Sequence, residues 1–289
     1  DKLYLKAEKV AHELKKSKLY KMDKLLLWYN KEEVIDFTVA LLGCFIAGMI
    51  AVPISFETYS LQEIVEIIKL TNCKCILISN ECYKQLDNLH STTHNTTIKL
   101  SRNEMFKNIT FLKTDDLGTY SKAKKHAPTF DISNAAYIEF TRTPLGRLSG
   151  VVMKHNILMD QFSSLADILD SKRMPYWKKS HIRKPYDKKI PLTLATKEKT
   201  SKFVIMNILD PTRSTGLIFG VLFNIFSGNI LITVDERLLQ KPAGYEYLID
   251  KYRADILLND QLQLKQNVIN YLENPIPMSE RKKHKMNFN

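Results

Sequence analysis

Cysteine is scarce in this 289-residue sequence: there are four, with no Cys-x-x-Cys pair and no histidine close enough to suggest zinc. That excludes a disulfide-stapled mini-protein, and no metal site is expected. Internal repeats and low-complexity tracts are lacking too. No signal-peptide pattern opens the sequence, so the sequons at Asn95 and Asn108 read as chance matches. Cys44, Cys73, Cys75 and Cys82 are expected as buried thiols in a reducing, cytoplasmic setting, with Cys73 and Cys75 on one face of a strand.

What is present is globular. Hydrophobic residues make up 44% and charged residues 26%, ample for a core and unlike a disordered tail or a collagen-like fibre. The length suits one large α/β domain or two smaller lobes. Acidic residues are in the minority, 31 against 43 basic, for a net charge of +12. Such a balance favours acidic partners. The excess is local: residues 171–200 hold ten Lys/Arg and two acids, a net of +8, and Arg281 to Lys285 form a second cluster. Both read as solvated segments, with peripheral contact at an organelle membrane through the insert as the alternative. Tyr176, Trp177 and Tyr186 among lysines mimic a nucleic-acid surface, but no recognised binding signature accompanies them, and no nucleic-acid partner is expected.

Phe37 to Ile54 is eighteen residues without a charge. Gly43, Gly48 and Pro53 interrupt it, so a buried helix ending at Gly48 and a buried strand 49–54 account for it better than a membrane span. The stripe Ala7, Val10, Ala11, Leu14 predicts an amphipathic first helix. Ser60-Leu61-Gln62-Glu63 is a capping box opening a helix to about Leu70. Strands at 24–29, 49–54, 73–79, 109–113, 135–140, 151–153, 203–209, 229–234 and 254–258 alternate with helices, which predicts βαβ units and a mainly parallel, doubly covered sheet. The reading is of stacked βαβ layers: 1–134 as the first, 135–272 as the second with the basic insert, and 273–289 as a tail.

The stretch from Ala136 to His155, with Phe140-Thr141-Arg142-Thr143-Pro144-Leu145-Gly146-Arg147-Leu148-Ser149-Gly150-Val151-Val152-Met153 at its centre, reads as a strand, a turn-rich loop over 141–150 and a short strand. It resembles the phosphate-loop signature of the adenylate-forming superfamily, which includes acyl-CoA synthetases and fatty acyl-AMP ligases. Gly146, Gly150-Val151-Val152-Met153 and His155 match. Thr143 replaces an early glycine, Leu148 a proline and Ser149 the loop lysine. Leu209 to Leu217 resembles a second family motif, with Arg213 at a histidine position before Gly216-Leu217. Among members, the closest likeness is to the fatty-acyl-AMP-ligase-like domains of the disco-interacting protein 2 family, fungal relatives included. The family's downstream Tyr-Gly-x-Thr-Glu segment and catalytic C-terminal lobe have no counterpart in these residues, so the chain is expected to be part of a large N-terminal lobe.

The resemblance implies ATP and Mg²⁺ as cofactors, a fatty acid or other acyl ligand as partner, and a role in lipid metabolism. It implies nucleotide contacts from Thr141, Arg142, Thr143, Gly146, Ser149 and Gly150, and substrate contacts from Arg213 and Gly216. Glycines let backbone N–H groups approach phosphate, hydroxyls donate to it, and a cation offsets its charge. Of the two loop arginines, Arg142 is the one expected to act. Arg213 has a second reading, an ion pair with Asp210. No catalytic residue is assigned. Leu217, Phe219, Val221 and Phe223 fit an acyl-pocket border or ordinary helix packing equally well. A non-catalytic module that binds an acyl ligand or a protein is the competing function.

Overall fold

The computed structural model describes residues 2–92, 106–117, 131, 133–173, 202–239 and 244–273. The basic insert beyond Arg173, the tail from residue 274 and the aromatic residues Tyr176, Trp177 and Tyr186 lie outside them.

The apolar strand β1 (Lys24–Tyr29) runs parallel between β2 (Ile50–Ser55) and β3 (Cys75–Ile78). Beyond β3 lies β4 (Thr110–Lys113), and beyond β2 lies β5 (Ala135–Arg142), both parallel to their neighbours. The antiparallel β6 (Leu148–Lys154) closes the order β4-β3-β1-β2-β5-β6. Side chains alternate across such a sheet. Leu25, Leu27 and Tyr29 enter one apolar cluster, with α1 (Lys2–Lys16) and α2 (Val34–Ala47), while Leu26 and Trp28 enter another with α3 (Leu61–Thr71). Both faces are covered, as the unbroken apolar strands predict.

Local signals set the helices. Ala7, Val10, Ala11 and Leu14 are the buried stripe of α1. A Cβ on Gly43 would stand 2.6 Å from Val10 Cγ1, so only glycine lets α2 pack this closely on α1. Helix α2 ends at Gly48, φ +74°, whose N–H reaches the carbonyls of Cys44 and Phe45. The stretch 37–54 is therefore a helix and a strand, and no described helix is long and apolar enough to cross a membrane. The capping box at Ser60 is formed in full. Helix α4 (Asn80–Thr92) follows β3.

Helix α5 (His155–Arg173) leads away from β6. The strands β8 (Ile230–Thr233), β7 (Val204–Asn207) and β9 (Ile256–Leu258) form a second, parallel sheet in that order. Between β7 and β8 runs one helical rod: α6 (Ser214–Leu217), a π turn (Ile218–Leu222) and α7 (Phe223–Ser227). Helices α8 (Glu236–Leu239), α9 (Gly244–Tyr252) and α10 (Gln261–Glu273) complete the described chain. Ile205, Leu217, Val221 and Phe223 share an apolar cluster with Leu25, Leu158 and Phe162, so the two sheets meet through one core.

Three expectations need correction. The division at 134/135 does not follow the sheets: β5 and β6 belong to the first sheet, because Tyr137 pairs with Ala51. Residues 141–150 are mostly strand, and only 143–147 separate β5 from β6. Cys73 and Cys75 enter opposite clusters, because the strand begins at Cys75 and alternation does not reach Cys73.

Candidate functional site

The hairpin of β5 and β6 carries the glycine-containing turn. Thr141 pairs with Ser149, Arg142 with Leu148 and Phe140 with Gly150. Within the turn the Thr143 N–H donates to Arg147 O at 2.8 Å, Gly146 N–H to Thr143 O at 2.8 Å, and Arg147 N–H to Thr143 Oγ1 at 3.2 Å. Gly146, at φ +77°, supplies the left-handed residue the turn needs. The backbone donors of Thr143, Gly146 and Arg147 are thus engaged internally.

The two faces of the hairpin differ. On one, Arg142 is held by α3 and the segment before it: its Nη2 and Nε meet Glu63 Oε1 at 2.6 and 2.7 Å, and its Nη2 donates to Thr58 O at 3.1 Å. Its guanidinium lies 5.1 Å from the Tyr59 ring, and the Tyr59 hydroxyl donates to Phe140 O at 2.6 Å. Arg142 thus fastens the hairpin on the face opposite the cavity. Glu63 is held below the ordinary carboxylate range first by the Ser60 backbone N–H, then by the Ser60 hydroxyl and Arg142. Burial raises the Tyr59 phenol, partly offset by the charges of Arg213 and Arg142.

On the other face, Glu139, Thr141, Val151 and Met153 form one wall of a cavity of about 820 Å³. Helix α5 supplies Ile157, Gln161, Leu165 and Ile168, and α6 with its π turn supplies Arg213 to Thr215, Ile218 and Phe219. The walls are mainly apolar, with polar groups on two sides, Glu139, Thr141, Arg213, Ser214 and Thr215 on the strand and rod side and Asp160, Gln161 and Ser164 on α5, and the volume is that of a small-molecule pocket. Glu139 was not predicted from sequence. Its carboxylate accepts the Ser214 N–H at 2.9 Å and the Ser214 hydroxyl at 2.6 Å, tying the first sheet to the start of the helical rod. An acid near the end of a strand carries no signal for a partner 75 residues away.

Arg213 lies on the strand and rod side. Asp210 is not its partner: one carboxylate oxygen of Asp210 takes the Thr212 N–H at 2.8 Å and the Thr212 hydroxyl at 2.6 Å. Among the described residues Arg213 has no ion pair. Gly216 is buried, and its Cβ would fall 2.1 Å from Asp210 O, so the close backbone packing there needs glycine. The structure therefore brings Thr141 and Arg213 together at one cavity, leaves Ser149 and Gly146 exposed on the hairpin, and turns Arg142 away. Gly150 faces the rings of Phe140 and the side chain of Ile138. Of the apolar helix set, Phe219 lines the cavity, whereas Leu217, Val221 and Phe223 are buried in the core.

Two buried amides grip the helical rod. Asn224 Nδ2 donates to the carbonyls of Phe219 and Gly220, each at 2.9 Å. Asn207 Nδ2 donates to Gly216 O at 3.3 Å, and its Oδ1 accepts the Leu209 N–H at 3.2 Å. His155 stands edge-on to Phe45, ring centroids 5.0 Å apart, and burial lowers its pKa, in keeping with a packing role. All four cysteines are buried thiols; burial pushes Cys73 up to about 11 and Cys75 and Cys82 up to about 12.

The mixed α/β architecture with its parallel sheets matches the N-terminal lobe of adenylate-forming enzymes. The chain belongs to the AMP-binding enzyme family, which matches residues 1–258. It is 67% identical over 290 residues to the homeostatic regulator of DAG of Saccharomyces cerevisiae, covering 100% of this chain and 17% of that protein. It is 24% identical over 279 residues to disco-interacting protein 2 of Drosophila melanogaster, covering 89% of this chain and 14% of that protein. The chain thus spans about a sixth of the yeast relative and about a seventh of the fly relative. Among solved structures, the fatty acyl-adenylate ligase of L. pneumophila in complex with acyl adenylate and pyrophosphate superposes with a TM-score of 0.68 at 19% identity, over 96% of this chain and 41% of that one.

Proposed function

We propose that this chain forms part of a fatty acyl-AMP ligase-like domain acting in lipid metabolism, and that its cavity receives the alkyl chain of a fatty acid with the carboxylate toward Arg213. The observation that carries this reading is the cavity itself: mainly apolar walls, with Ile157, Leu165 and Ile168 of α5, Val151 and Met153 of β6 and Ile218 and Phe219 of the π turn, and on the rod side a cation, Arg213, without an ion pair among the described residues. A desolvated carboxylate needs such a partner. The L. pneumophila ligase complex and the yeast regulator of DAG support the substrate class and the lipid setting.

ATP would lie along the hairpin. The residues that fit its phosphates are the exposed Ser149, Thr141 and Arg147, since Arg142 is engaged by Glu63. Mg²⁺ would be held mainly through the ATP phosphates, as this ion usually is. The test is ATP–pyrophosphate exchange by the full-length protein with Mg²⁺ and a panel of fatty acids. Exchange that depends on a fatty acid supports the ligase.

The engagement of Arg142 and the serine at position 149 favour a second reading, a non-catalytic acyl-binding module of the same fold. Fatty acid binding without exchange, and exchange gained on Ser149→Lys, would separate a damaged ligase from such a module.

A further inference from the structure

We infer that Asn224 is a positioning residue that sets the depth of the cavity, and so the length of alkyl chain accepted, by holding the helix that lines it in a π turn. This rests on the acyl reading above.

In a regular α-helix the carbonyl of Phe219 accepts from the N–H four residues on, that of Phe223. Here the Phe223 N–H reaches back to Ile218 O instead. The Phe219 carbonyl loses that donor, and Asn224 Nδ2 stands 2.9 Å from it and 2.9 Å from the Gly220 carbonyl. Asn224 is 3% exposed, and its Oδ1 has no partner. A buried orphan acceptor is unfavourable, so the contribution of this amide lies in its two donated bonds. From the other side, a Cβ on Gly220 would stand 2.2 Å from Asn207 Nδ2, so the widened turn is closely packed against a second buried amide.

The consequence falls on the cavity wall. The extra residue of a π turn rotates the helix before it relative to the helix after it by about 100°, the angle of one helical residue. After the turn begins, Gly220, Val221, Leu222, Phe223 and Asn224 are buried in succession, a run that one face of a regular helix does not bury. The first two residues of the turn, Ile218 and Phe219, line the cavity. Phe219 is braced edge-on against Phe223, centroids 5.4 Å apart. Relaxation to a regular helix would swing Ile218 and Phe219 relative to the core and change the enclosed length.

The experiment measures, on the full-length protein, displacement of a fluorescent fatty acid by saturated acids from octanoic to octadecanoic. Asn224→Leu removes the donors at similar volume, and Asn224→Asp removes them with near-identical shape. Ile76→Ala, in the other apolar cluster, is the control for simple destabilisation, and thermal unfolding confirms that each variant is folded. The expected result is that whichever Asn224 variant folds moves the preferred chain length, changing relative affinity by about tenfold per misfitted methylene, while Ile76→Ala keeps the wild-type optimum. An unmoved optimum in a folded Asn224 variant, with Phe219→Ala moving it, overturns this inference and leaves the acyl reading standing. No displacement by any acid in the wild-type protein overturns the acyl reading, and this inference with it.

Discussion

Glu139, in the second half of β5, holds both the backbone N–H and the hydroxyl of Ser214 at the start of α6. The bond joins a strand of the first sheet to the helical rod of the second at the wall of the cavity. Replacing Glu139 by Ala is expected to loosen this junction: amide exchange over 213–219 should rise several-fold, by about 1 kcal/mol of local protection, since the pair is partly solvated. Exchange unchanged at those amides would show that the junction is held elsewhere.

Arg213 should matter to a carboxylate and not to an alkyl chain. Arg213→Ala is expected to weaken fatty acid binding about tenfold or more, while leaving the methyl ester of the same acid unaffected. Equal losses for acid and ester, in a titration of the full-length protein, would point to a packing role.

Glu63 makes the hairpin clamp sensitive to acid. Its pKa is lowered from 4.5 by the Ser60 backbone N–H first and then by the Ser60 hydroxyl and Arg142. A depressed folded value means that the stabilisation is full above the unfolded value and is lost as pH falls below 4.5 through the lowered one. Protection of the 140–148 amides should therefore fall in that range, and Glu63→Gln should flatten the dependence.

Gly216→Ala should act on folding and not on affinity alone. The added methyl meets the Asp210 carbonyl at 2.1 Å, backbone that cannot swing aside. A cost of about 2 kcal/mol or more is expected in denaturant unfolding, the scale of an overpacked core.

The buried thiols should resist alkylation. With Cys73 near 11 and Cys75 and Cys82 near 12, little thiolate exists at pH 8. Peptide mass spectrometry should find these three unlabelled by iodoacetamide until denaturant is added.

Much of the fold was legible because its signals are local. The stripe of α1, the Gly48 stop and the Ser60 capping box each lie within a few helical turns, and each appears as predicted. The site was legible only in part. Thr141 and Arg213 could be picked out by motif, but which way a residue faces on a hairpin depends on register, which sequence does not state. Arg142 and Thr141 are adjacent and face opposite sides, one to Glu63 and one to the cavity. Glu139 and Asn224 escaped notice because their partners are set by tertiary approach and by a helix irregularity, neither of which has a sequence signal of its own.

The pairing of β2 with β5 also bears on how the chain reaches its native form. Tyr59 and Phe140 are 81 residues apart in sequence, and Glu63 and Arg142 are 79 apart. During synthesis β1, β2 and β3 emerge well before β5, so the apolar edge at Ile50 to Ser55 waits without its neighbour while some eighty further residues are added. Contacts of such separation are slow to close, and an unpaired edge invites other chains. The aromatic hydroxyl and the guanidinium that fasten the hairpin are thus late locks, and their loss would be felt first in the nascent chain, as capture by chaperones, before any defect showed in the finished domain.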